Sequence, residues 1–600
     1  MQQKIGKMEV RKFTDILQKY KQGKANLEAR IVENEQWYKM RHWEYMRKKY
    51  HEKSPDSPEP ASAWLFNSII NKHADAMDNY PQPNVLPREE SDKESAEQLS
   101  AIMPVILEQN DYEQIYSDAW WYKLKTGTAV YGVFWNAGKE NGLGDVEISN
   151  CDILNLFWEP GIRNIQDSRY VFYVSLVDNE ILEEQYPQTK GKLGSASIEV
   201  TKYIHDDSID TSEKSLVVDC YYKANGVLHY CKYVNEIILF ATENEREYRT
   251  AGLYAHGKYP FVFDTMFIEP DTPAGFGYID TMKDCQMYID KLQQAILRNT
   301  LMCSRKRYFY KNNGAVNKEE FADWNNDFVN VEGNLDEESI REIQVTPISN
   351  AAFSALQQKI DELKETSGNR DFSQGSTASG VTAASAIAAL QEAGSKLSRD
   401  MIKSSYRAHA QTCYFVLELV RQFYTQPRCF RITGDGSKRE FVEFNNSALQ
   451  PQQAEIFGTD LGARKPVFDI EIVAQKKSPF STLARNELAK ELYGMQFFNP
   501  QMADQALVAL DMMDIEGKDG LIQKITQNGT MYQQLQQMQE QMNRMLQLLG
   551  ANGVNMPAPQ APPGNEAGQE VSVNPLGGEI GSHPAPEKAA QQAEEAGNPK

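Results

Sequence analysis

The chain is 600 residues long, 41% hydrophobic and carries a formal net charge of −20. That length supports several subdomains, and the acidic balance excludes tight, sequence-independent DNA binding over the whole surface, which needs clustered Lys and Arg to displace counterions. Its 7 cysteines are scattered from Cys151 to Cys429 without a CxxC pair, which argues against a disulfide framework or a zinc site and fits a cytoplasmic origin. The start, MQQKIGKMEVRKF, is polar and basic rather than a signal peptide, and no apolar run approaches a membrane span.

Residues 1–53 interleave aromatics (Trp37, Tyr38, His42, Trp43, Tyr45) with cations (Arg41, Arg47, Lys48, Lys49). Two readings are open: a nucleic-acid contact, or an amphipathic helix docked on its own domain. SPDSPEPAS (54–62) is a connector. SAWLFNSIINKHADAMDNYPQPNV is amphipathic, and a helical pair follows, ending in the strand TGTAVYGVFWN. Residues 165–265 alternate repeatedly, as an antiparallel sheet does (YVFYVSLV, SLVVDCYYKA, LHYCKYV, EIILFAT).

From Gly275 to Tyr424 the pattern is helix, small insert, helix, Gly/Ser loop and Ala-rich helix. The first helix has its apolar stripe at Met282, Cys285, Ile289, Leu292 and Ile296; the second repeats the spacing at Phe353, Leu356, Ile360 and Leu363. Each helix has one narrow face to bury, so the pair predicts a protruding hairpin. The insert reads as strand (307–312), short helix (317–327, with Phe321 and Trp324), strand (327–333) and strand (340–345). It is too small for a private core, which neighbouring copies or the main body would have to complete. Residues Gly368 to Gly380 are rich in Gly, Ser and Thr, and the helix beyond Thr382 has Gly394 at a point suited to a kink. RCFRITGDGSKREFVEFNN (428–446) and PVFDIEIVAQ (466–475) are strand-rich. Met531, Leu535, Met538, Met542, Met545 and Leu549 make a heptad seam, suited to a collar of helices or to packing on its own domain. Residues 551–600 have few large apolar side chains and predict disorder.

Enzymatic signals are poor. Gly252 to Tyr259 matches P-loop spacing, but Tyr259 replaces the Ser/Thr that binds magnesium and strand-like residues follow Pro260. The 8 histidines show no HExxH spacing, there is no GxSxG elbow, and Glu243, Glu245 and Glu247 read as solvated charge. No cofactor is indicated.

The ordered set KYPFVFDTMFIEP, GFGYIDTMKDCQMYIDKLQQAI, insert, KIDELKETSG and SGVTAASAIAALQEAGS resembles the portal protein family of tailed double-stranded DNA bacteriophages over roughly residues 1–480. The resemblance implies an α+β, helix-dominated fold with wing, stem, clip and crown, a kinked tunnel helix and a C-terminal helical region. Carried onto this chain, 1–275 would be the N-terminal arm and wing, 276–304 and 351–368 the stem, and 305–350 the clip. Residues 369–380 would be the tunnel loop and 381–425 the tunnel helix. Residues 426–477 would return to the wing, 478–550 would hold the crown and heptad helix, and 551–600 would be the tail. The loop facing DNA would be Asn369, Arg370, Asp371, Phe372, Ser373, Gln374, Gly375, Ser376, Thr377, Ala378, Ser379 and Gly380, with Arg370 placed to meet a phosphate.

The resemblance further implies a ring, usually a dodecamer, at one capsid vertex, with DNA in its channel. Implied partners are the terminase large subunit, a head-completion or adaptor protein, the major capsid protein and a scaffold protein, with no membrane. Stem charges near that channel would be Arg298, Arg305, Lys306, Arg307, Lys359 and Lys364, for which solvated charge and ion pairs between subunits are the competing reading. Tyr308, Tyr310, Phe321 and Trp324 would form the clip surface that meets partners. The alternatives are another virion structural protein, or a packaging ATPase/nuclease, which the failed P-loop disfavours.

Overall fold

A computed structural model describes residues 4–50, 57–193, 213–304, 307–310, 317–322, 340–343, 345–368, 396–433, 439–456, 459–476, 503–512 and 518–551, with Leu492, Gly494 and Asn499 between. The chain divides into two units, Met1–Ser481 and Thr482–Lys600.

Helix α1 (Lys7–Tyr38) starts where the Glu9 carboxylate accepts the Gly6 N–H at 3.0 Å, satisfying a donor that the helix leaves open. Its Val10, Phe13, Leu17 and Tyr20 recur at helical spacing and are buried, worth about 1.5–3 kcal/mol each. The chain turns at Met40 (φ +57°) into α2 (His42–Tyr50). Trp37, His42 and Trp43 are buried, and the Trp43 indole donates to the Pro60 carbonyl at 2.8 Å. Among the cations, Arg41 lies 3.6 Å from Glu44 and Arg47 pairs with Glu59. The aromatic rings therefore dock on their own domain, and the nucleic-acid reading of this segment falls.

Next come α3 (Trp64–Met77), β1 (Asn79–Pro87), α4 (Lys93–Gln109) and α5 (Tyr112–Thr126). Gly127 ends α5 at φ +85°, and a Cβ there would stand 2.2 Å from the Phe276 carbonyl carbon. Only glycine fits this crossing. Strands β2 (Thr128–Asn136), β3 (Asp145–Asn150), β4 (Leu156–Trp158) and β5 (Tyr170–Asp178), helix α6 (Asn179–Gln185), then β6 (Lys214–Ala224), β7 (Val227–Val234) and β8 (Ile237–Ala241) follow. The last four strands are the alternating segments of the sequence. With β4 they form an antiparallel sheet in the order β4-β5-β6-β7-β8. Asn225 and Gly226, both at positive φ, make the two-residue turn between β6 and β7. Leu216, Val218, Cys220 and Tyr222 share one sheet face by period two and pack under the first half of α1.

After α7 (Tyr248–Ala251) comes β9 (Phe261–Thr265), which completes a second antiparallel sheet, β3-β2-β9. Helix α8 (Tyr278–Ser304) leads into β10 (Tyr308–Tyr310), α9 (Lys318–Ala322) and β11 (Ile340–Glu342). Helix α10 (Asn350–Ser367) returns and stops at Gly368 (φ +63°). Then come α11 (Lys396–Phe423), the hairpin β12 (Arg428–Thr433) and β13 (Arg439–Phe444), the hairpin β14 (Gln452–Ile456) and β15 (Thr459–Arg464), and β16 (Phe468–Lys476). Strand β16 pairs antiparallel with β1, Asn79 opposite Lys476 and Pro87 opposite Phe468. Pro81, Pro83 and Pro87 are an even number of residues apart, so their missing N–H groups share one edge of a two-stranded ribbon that can spare them.

In the second unit, α12 (Ala503–Met512) packs on α13 (Lys518–Ala551) through Ala503, Ala506, Leu510 and Ile525. Among the described residues more lie in helices than in strands, a mixed α and β architecture.

Candidate functional site

Helix α8 is two-faced in an unusual way: its inner half is buried and its outer half is not. Tyr278, Ile279, Met282, Gln286, Met287, Ile289 and Asp290 are buried, and from Lys291 to Ser304 no side chain is. The predicted stripe splits accordingly: Met282 and Ile289 are buried, whereas Cys285, Leu292 and Ile296 are only partly covered. At about 1.5 Å per residue, the uncovered half runs ~20 Å.

The point of departure is held by polar groups. His42 Nδ1 lies 2.6 Å from Asp290 Oδ2, and His42 Nε2 lies 3.1 Å from the Trp37 carbonyl. Asp290 Oδ1 accepts from the Ser62 N–H (3.2 Å), the Ser62 hydroxyl (3.1 Å) and Gln286 Nε2 (2.9 Å). Gln286 Oε1 accepts the Leu65 N–H at 3.1 Å. Burial without partners would cost several kcal/mol; here every group is satisfied, so the network ties α8 to the α1–α2 corner and to the segment entering α3.

Helix α10 runs back along α8. The Cys285 thiol donates to the Lys359 carbonyl at 3.2 Å, and Asn299 bonds both Thr346 O (3.1 Å) and Ile348 N (3.0 Å). The Tyr278 hydroxyl donates to the Ser367 carbonyl near the base. Only Leu363 and Ser367 of α10 are buried. Tyr288, Leu297, Leu301 and Phe353 stand 40–51% exposed on the hairpin. Such apolar exposure on paired helices marks an uncompleted contact.

Helix α11 is secured by a second buried cluster. Lys123 Nζ donates to Asp264 Oδ1 (2.6 Å), Ser405 Oγ (2.8 Å) and Met401 O (3.2 Å). Burial pushes the Lys123 ammonium below its ordinary range and Asp264 opposes that shift. On the same helix, burial pushes His409 down to about 3.

Of the residues singled out in the sequence, Arg298 and Arg307 are exposed. Lys359 pairs with Glu362 at 2.6 Å, and Lys364 lies over the Trp64 ring at 5.6 Å. Tyr308 meets Phe321 edge to face at 5.0 Å, and Tyr310 lies in β10. Arg305, Lys306, Trp324, Asn369 to Gly380 and the helix start at 381–395 lie outside the described residues, as does the candidate strand 327–333. Met531, Leu535, Met538, Met542 and Met545 on α13 are all more than half exposed.

Nothing described supports catalysis at the P-loop-like stretch. Gly252 and Gly257 precede a strand, Lys258 sits over the Tyr414 ring at 4.4 Å, and buried Tyr259 donates to the Ser168 and Arg169 carbonyls at 2.8 and 3.0 Å. Burial pushes the neighbouring His256 down to about 4. Among the described residues no cluster of His, Cys, Asp or Glu could hold a metal ion, and no helix is long and apolar enough to cross a membrane. The 7 cysteines are free thiols.

Sequence reasoning missed the His42–Asp290–Gln286 network and strand β1. The signal for the first was Gln286 and Asp290, two polar residues four apart beside the buried stripe. No curated protein matches the chain. The family model for the phage P22-like portal protein matches residues 66–258 and 260–570, across the sheets, the hairpin, α11 and the second unit. With this match over well beyond half its length, the chain belongs to the P22-like phage portal protein family, structural components of virions through which DNA passes.

Proposed function

We propose that copies of this chain close into a ring, a dodecamer by the family's habit, at one vertex of a phage capsid. The observation that carries this reading is the α8–α10 hairpin, anchored by a saturated polar network at its base and uncovered beyond Asp290. An apolar surface of that kind is stable when neighbouring copies cover it. In this reading residues 276–304 and 351–368 are the stem, 305–350 the clip, and 1–275 with 426–477 the wing. Residues 369–380 are the tunnel loop that meets DNA, 381–425 the tunnel helix, and 478–550 the crown, where the α13 seam forms a collar with its neighbours.

The clip docks the terminase large subunit during filling and then a head-completion protein. The major capsid protein and a scaffold protein meet the ring during assembly. The work of packaging comes from the terminase, since Lys258 faces an aromatic ring rather than a phosphate cradle. Negative-stain electron microscopy with mass measurement of the purified protein tests this. Rings with an axial hole are expected. A compact monomer that hydrolyses ATP would overturn the reading.

A further inference from the structure

The insert is electrically divided. From Lys291 to Lys318 every charged side chain is a cation, and from Glu319 to Glu342 every one except Arg341 is a carboxylate. In a chain of net charge −20, a stretch of that length without a carboxylate stands out. The described part of the insert shows how the division is laid out in space. Strands β10 and β11 pair antiparallel with Tyr308 opposite Glu342, and the Ile343 N–H donates to the Arg307 carbonyl at 2.7 Å, extending that register. Side chains alternate across a strand, so Glu342 shares a face with Tyr308 and Arg307 lies on the opposite one. Phe321 meets the Tyr308 ring at 5.0 Å, which puts α9, with Glu319, on the Glu342 face. Glu342, and Glu319 on α9, thus lie on one side of the ribbon and Arg307 on the other, with Lys318 at the start of α9 the one cation on the carboxylate side among the described residues. Arg298, Arg307, Glu319 and Glu342 are all exposed, and none has an ion-pair partner among the described residues.

We infer that the basic face, with Arg307 and with Arg298 on the adjoining stretch of α8, binds the acidic face of the next copy, carrying Glu319 and Glu342. The occupant is a second copy because the ribbon presents complementary charges on opposite faces, the condition for a head-to-tail contact that repeats around a ring. A DNA-facing role would use the basic face and leave the acidic one unexplained. This inference rests on the ring proposed above and adds which surfaces close it.

Two variants test it: Arg298→Glu/Arg307→Glu, whose faces are both acidic, and Glu319→Arg/Glu342→Lys, whose faces are both basic. Assembly of each is followed by native mass spectrometry and electron microscopy at low salt, with wild type as control and circular dichroism as a check on folding. Each variant alone is expected to need about tenfold more protein for half-assembly, since exposed pairs are each weak. Mixed in equal amounts, the two are expected to recover rings of even copy number with alternating subunits. If either variant folds poorly, Arg298→Gln/Arg307→Gln replaces it, and its rings are expected to lose the salt dependence of the wild type. Wild-type rings alongside variants that assemble equally well, or a mixture of folded variants that does not recover, would overturn the inference and leave the ring standing. Normal rings of the acidic variant with weakened DNA retention would overturn it too, by giving the basic face to DNA. Absence of wild-type rings would instead remove the proposed function on which it rests.

Discussion

Replacing Asp290 with alanine should loosen the root of the hairpin. The substitution takes the acceptor from His42 Nδ1 at 2.6 Å, from the Ser62 N–H and hydroxyl at 3.2 and 3.1 Å, and from Gln286 Nε2 at 2.9 Å. His42, Gln286 and Asp290 are at most 1% exposed, so water cannot take over the lost bonds. Removing one member of such a buried pair costs about 3–5 kcal/mol. Because His42→Ala removes the other half of the same interaction, the double mutant should cost about 2 kcal/mol less than the sum of the singles. Urea unfolding followed by tryptophan fluorescence is suited to the measurement, since Trp37 stacks on His42 with ring centres 4.6 Å apart. Proteolysis within residues 57–63 should accelerate in parallel. An Asp290→Ala variant that loses less than ~1 kcal/mol, the range of an exposed pair, or single costs that simply add, would refute the claim that this network holds the hairpin.

Gly127→Ala should destabilise the protein by about 2–4 kcal/mol, from a left-handed backbone and a Cβ driven into the Phe276 carbonyl; a melting shift too small to measure would refute it. Leu297→Asp with Leu301→Asp should leave the melting of the unassembled chain within about 0.5 kcal/mol, since both are exposed, yet cut ring yield in sedimentation; equal ring yield would count against a covered stem. Deleting Gly375 to Gly380 should preserve rings while impairing DNA packaging or retention, and normal genome filling would end the tunnel-loop assignment. His409 is neutral when folded, pushed down to about 3 by burial, whereas the unfolded chain takes up its proton near the ordinary 6.5. The unfolded state therefore binds more protons in that window, and stability should fall as pH drops from 6.5 toward 3. His409→Gln should flatten that slope in pH-dependent unfolding.

What the sequence made legible follows from the range of the interactions involved. Strands β5 to β8 and helices α8 and α10 announce themselves through period two or period 3.6, which are local properties, and Asn225-Gly226 marks a turn by backbone preference alone. Strand β1 was hidden for the opposite reason. Its three prolines in nine residues obscure any strand alternation, so its first half reads as the tail of an amphipathic segment, and its partner β16 lies nearly four hundred residues away. Periodicity also names a face without naming its cover. Trp37, Trp43 and Tyr45 allowed two readings until burial of the first two against their own domain decided between them. The same logic bears on the hairpin from the other side: Met282 and Ile289 find their cover within this chain, whereas Leu297 and Leu301 do not. A helix that continues its apolar positions past the last residue its own fold can bury was shaped by something beyond that fold. The charge pattern of the insert adds direction, because Arg307 and Glu342 on opposite faces of one ribbon cannot satisfy each other within a copy. Apolar cover alone is compatible with a symmetric pair of chains. Opposed charged faces favour a repeating head-to-tail contact, and the closed form of such a contact is a ring.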